Sequence, residues 1–90
     1  MKQAKDVFQK MMSSVPREIK LEVDLCFEIS DRIDLLMREK GLTKKQFADA
    51  LGKRPSEVTK WLSGQHNFTI STLAMISTFF GKSIISVGKT

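Results

Sequence analysis

Glycines divide this chain into helix-sized pieces, and that punctuation constrains the fold more than any other feature. Gly41, Gly52, Gly64 and Gly81 each follow a run with helical apolar spacing, the position where a left-handed stop is favoured. Pro16 and Pro55 fall where helices begin. From Pro16 to Lys40 the apolar residues Ile19, Val23, Cys26 or Phe27, Ile33 and Met37, with Ser30 among them, follow a 3/4 spacing. Leu25, Ile29, Ile33 and Leu36 form a second stripe beside it. One helix with a wide apolar face is expected there, its span long enough to leave room for a break near residues 28–31.

Thr43 followed three residues later by Gln46 makes a capping box. A second helix, carrying Phe47, Ala48 and Leu51 inward, is expected to stop at Gly52. Pro55 opens a third, with Arg54 in the extended conformation that precedes proline. Val58, Trp61 and Leu62 form its inner face and Gly64 its expected end. Thr69 caps a fourth helix with Leu73, Ile76, Phe79 and Phe80 on its core face, ended by Gly81. Residues 83–87 are β-branched and are expected as a lone strand, a docked tail or an edge that pairs with another copy. Residues 1–15 form an N-terminal segment, in which Val7, Phe8, Met11 and Met12 suit a loose helix or a flexible lead-in. The remaining 16–90 read as one all-α domain, with a core motif at 44–63 and a tail at 82–90.

Charge is divided unevenly. Residues 1–40 carry 8 basic and 8 acidic side chains, while residues 41–90 carry 7 basic and 2 acidic. The whole net charge of +5 lies in the second part. A one-sided basic field suits a polyanion, nucleic acid above all, although a merely soluble basic surface has the same composition. With 1 Cys and 1 His there is no structural zinc set and no internal disulfide. No metal or cofactor is expected. No converging nucleophile–base pair marks an enzyme. No apolar run spans a membrane and no signal-peptide pattern opens the chain, so it reads as soluble and cytoplasmic.

Two short helices joined at a glycine suggest a helix-turn-helix. Counting Lys44 as position one, Ala48 stands at five, Gly52 at nine and Val58 at fifteen. A small residue lets the helices approach, glycine accepts positive φ, and a β-branched residue plugs the angle between them.

The run from Leu42 to Ile84 resembles the lambda-repressor-like, Cro/C1-type (XRE) helix-turn-helix family over about residues 29–85. The likeness rests on Leu42-Thr43, Phe47-Ala48, Leu51-Gly52, Ser56 with Val58, Trp61-Leu62-Ser63-Gly64, Asn67, Thr72-Leu73 and Phe80-Gly81. Within it, the chain is most similar to HigA-type antitoxins and phage or plasmid regulators. The resemblance implies a four- to five-helix bundle, double-stranded operator DNA as partner, and a homodimer. In the antitoxin version it also implies a toxin protein. Two positions depart from the family pattern: Lys44 replaces a frequent Gln, and Pro55 stands where many members place a polar base-reading side chain.

On this reading the third helix enters the major groove with Arg54, Ser56, Glu57, Thr59 and Lys60 facing the bases. Lys44, Lys45 and Lys53 flank it as phosphate contacts, with Thr43 and Gln46 acting as caps first and phosphate donors second. Gln65 and Asn67 are carried over from the family as backbone contacts, and His66 joins them in its protonated form. The competing reading is a protein-interaction module that keeps the fold without DNA.

Overall fold

The computed structural model describes residues 15–87. Its helices in chain order are α1 (Arg17–Lys40), α2 (Lys44–Leu51), α3 (Pro55–Trp61) and α4 (Ile70–Phe80). Among the described residues there is no strand. The all-α helix-turn-helix bundle expected from the sequence is what forms. The expected helix or lead-in at 1–14 lies outside the described residues.

α1 runs unbroken for 24 residues, with no break near 28–31. Ser30 is the polar residue in that stretch, and its hydroxyl is used elsewhere. It donates to the Trp61 carbonyl rather than back to its own helix, where it would bend the backbone. The helix ends as expected: Gly41 takes φ 66, and the Leu42 N–H reaches the Met37 carbonyl at 2.9 Å. Pro16 stands at the N-cap position rather than inside the first turn, with no side-chain cap.

Only the C-terminal half of α1 is packed. Ile29, Ser30, Ile33, Leu36 and Met37 are buried, whereas Ile19, Leu21, Leu25 and Phe27 are exposed. Cys26, on the same apolar stripe, is half-buried.

The core centres on Phe47. Its ring is fully buried, edge-on to Trp61 at 5.9 Å and tilted against Phe79 at 5.4 Å and Phe80 at 5.2 Å. Such aromatic pairs stabilise beyond the area they bury. Ile33, Leu36, Val58 and Ile76 are the other large side chains that are fully buried. Phe79 is only partly buried, and the Lys40 ammonium lies 5.4 Å from its ring centre.

Residues 83–87 form no strand in the single chain, and Ile84 docks on the bundle. Ile84 is buried, and its N–H donates to the Ser77 hydroxyl at 3.1 Å. The Arg32 guanidinium reaches the Ser83 carbonyl at 3.4 Å. Ile85 and Val87 beside it are exposed.

Candidate nucleic-acid interface

The candidate interface is built on the α2–α3 corner. Thr43 caps α2 with both bonds of the capping box: its Oγ1 accepts from the Gln46 N–H at 3.1 Å, and its own N–H donates to Gln46 Oε1 at 2.9 Å. Gly52 ends α2 at φ 69, and the Lys53 N–H returns to the Ala48 carbonyl at 2.8 Å. Ala48 and Val58 are both fully buried in the angle between the helices. The motif spacing thus has the physical basis expected of it: a small residue, a left-handed turn and a branched plug.

Arg54 holds the N-cap of α3 in extended backbone, φ −89 and ψ 146, and its side chain makes no capping bond. The guanidinium is therefore free of local duty. Val58 and Trp61 face the core, which leaves Arg54, Ser56, Thr59 and Lys60 exposed on the outer face. Glu57 is half-buried, turned between the two faces. The Thr59 hydroxyl donates to the Pro55 carbonyl at 3.2 Å, so it presents lone pairs and a methyl group outward. Pro55 is exposed but offers neither a side-chain donor nor an N–H.

Lys44, Lys45 and Lys53 are exposed around this face. Among the described residues the ion pairs are Arg38 with Asp34 at 2.9 Å and Lys82 with Glu39 at 3.7 Å. Neither draws on the lysines of the α2–α3 corner or on Arg54 and Lys60. Five cations of the corner thus stand outside any ion pair among the described residues, a condition that favours attracting phosphate.

The loop after α3 splits its candidates. Gln65 is exposed, and its N–H donates to the Ser63 hydroxyl at 3.1 Å. His66 is half-buried with its ring edge-on to Phe68 at 4.7 Å. Asn67 is exposed but borders a groove against α1 together with Phe68.

α3 stops at Trp61, with Leu62 at its C-cap in right-handed backbone, rather than at Gly64. Gly64 serves a different end. It is buried at φ 82, and a Cβ there would lie 2.6 Å from two ring carbons of Phe27. Its N–H donates to the Ser30 hydroxyl at 3.0 Å. The residue that sequence reasoning missed is Ser30, which ties the end of α3 to α1. The signal was one small hydroxyl standing on an otherwise apolar stripe.

Among the described residues no three His, Cys, Asp or Glu side chains gather as a metal site, and no helix is long and apolar enough to cross a membrane. A family model described as helix-turn-helix matches residues 33–86, from the packed half of α1 through the docked Ile84. No curated protein and no solved structure matches the chain.

Proposed function

Because the chain belongs to the Cro/C1-type helix-turn-helix family of DNA-binding regulators, we propose that it is a repressor that reads an operator with α3. The observation that supports this most is the outer face of α3. Arg54, Ser56, Thr59 and Lys60 are exposed together, their charges are unpaired among the described residues, and three flanking lysines surround them.

The mechanism follows from donor chemistry. Arg54 or Lys60 matches guanine O6 and N7, Ser56 adapts to either partner, and Glu57 accepts from cytosine N4. Lys44, Lys45 and Lys53 hold phosphates on either side, which sets register without reading sequence. Thr43, Gln46, Gln65, His66 and Asn67 complete the backbone contacts. Pro55 leaves a gap at the start of the helix, so discrimination rests on its neighbours. Two copies with α3 about 34 Å apart bind a near-palindrome and exclude polymerase. An antitoxin role adds a protein partner, for which exposed Ile19, Phe27 and Leu35 on α1 are available apolar contacts.

Selection from random DNA duplexes, followed by footprinting and in vitro transcription on the selected site, tests the reading. A repressor enriches a near-palindrome, protects it and blocks initiation from an overlapping promoter. Recovery of unenriched DNA by a folded protein would refute it and leave the protein-interaction module standing.

A further inference from the structure

The outer face of α3 is not uniformly polar. Pro55 stands at the first position of the helix and Thr59 one turn later, and both are exposed. Side chains at i and i+4 lie one above the other on a helix, so the two share one side. The Thr59 hydroxyl donates to the Pro55 carbonyl at 3.2 Å. That bond uses the hydroxyl proton and turns the oxygen back toward the helix backbone, which leaves the methyl group facing out. Pro55 adds a pyrrolidine ring with no N–H. Exposed Arg54 precedes the pair and exposed Lys60 follows it. A small apolar patch therefore sits between two cations on the face that carries the base-reading candidates.

The major-groove edges of the base pairs carry donors and acceptors, and one apolar group, the C5 methyl of thymine. While its bond to Pro55 holds, Thr59 has no proton to give to guanine O6 or N7 or to thymine O4. A base amino group placed here would meet a single acceptor and an apolar ring, and would lose water without full replacement. A thymine methyl loses nothing by leaving water, and threonine's own methyl is a known type of partner for it.

Taking α3 as the operator-reading helix, we infer that Thr59 and Pro55 read thymine by its methyl group. Each half-site carries a thymine whose C5 methyl packs against the Thr59 methyl, with the Pro55 ring closing off water on one side. The position without a polar base-reading side chain thus contributes apolar readout, and Arg54 and Lys60 read polar edges on either side of it.

Uracil keeps the hydrogen-bonding groups of thymine and lacks the methyl, so replacing thymines one at a time in the selected operator isolates the contact. At one thymine per half-site, uracil should weaken wild-type binding by about fourfold, the effect of one buried carbon. Thr59→Ser keeps the hydroxyl and loses the methyl, and should bind the thymine and uracil operators alike. Thr59→Val keeps a methyl on that carbon and should still prefer thymine. Pro55→Ala should narrow the difference. Thermal melting checks that each variant is folded. An operator in which no thymine responds to uracil would overturn the inference and leave operator binding intact. A thymine–uracil ratio unchanged by either Thr59→Ser or Pro55→Ala would overturn it as well. Failure to enrich any site would remove the operator reading and this inference with it.

Discussion

The Ser30 hydroxyl donates to the Trp61 carbonyl at 2.6 Å and accepts from the Gly64 N–H at 3.0 Å. One small side chain on α1 therefore satisfies one backbone group in the last turn of α3 and one just beyond it. The Trp61 carbonyl belongs to the last turn of α3, whose carbonyls have no partner within the helix. Ser30 is itself buried, so neither group has water as a substitute.

Ser30→Ala leaves both backbone groups without this partner. A buried unsatisfied group costs about 1–3 kcal/mol, and about 1 kcal/mol lowers the Tm of a domain this size by about 4–8 °C. Chemical and thermal denaturation of Ser30→Ala should show such a loss. A change under about 0.5 kcal/mol, the usual range for surface substitutions, would mean that the bond pair does not hold α3 in place.

Gly52 and Gly64 share positive φ but differ in surroundings. A Cβ at Gly52 meets nothing within 4 Å, whereas one at Gly64 meets the Phe27 ring at 2.6 Å. Gly52→Ala should cost about 1–2 kcal/mol from backbone conformation alone, and Gly52→Asn less, since asparagine tolerates this region. Gly64→Ala should cost more, by about 1 kcal/mol of overpacking at the low end of the usual range. In a Phe27→Ala background that excess should vanish. A double-mutant cycle with no coupling between positions 27 and 64 would contradict the close approach.

Lys44 is exposed at the first turn of α2 and pairs with no carboxylate among the described residues. Lys44→Ala should weaken binding to all DNA sequences alike. The slope of log K against log[salt] should fall by about one unit. An unchanged slope from titrations at several salt concentrations would place Lys44 away from the phosphates.

Much of the corner was legible in the sequence because its signals are local. The Thr43–Gln46 box, the left-handed Gly52 and the extended Arg54 before Pro55 depend on residues within a few positions of one another. The buried set around Phe47 followed from helical period. What the sequence hid were contacts between distant segments. Ser30 meets Trp61 across 31 positions; the lone hydroxyl on an apolar stripe marks Ser30, but nothing marks Trp61 as its partner. Gly64 looked like a helix stop because its glycine signal is the same for a cap and for a close approach. For residues 83–87 composition left a strand and a docked tail equally open, and the contacts that seat Ile84, its burial and its bond to Ser77, come from a helix several positions away. The outward residues of α3 were readable once Val58 and Trp61 fixed its inner face.

The affinity of the Arg54→Ala, Lys60→Ala double variant for the selected operator tests the assignment of α3 most directly. Measured by fluorescence anisotropy against specific and scrambled duplexes, each substitution should cost about 1–3 kcal/mol on the specific site and relax its sequence preference. Melting temperature should stay near that of the wild type, because both side chains are exposed and make no ion pair among the described residues. Wild-type operator affinity with undiminished discrimination in the folded double variant would show that α3 does not read the groove.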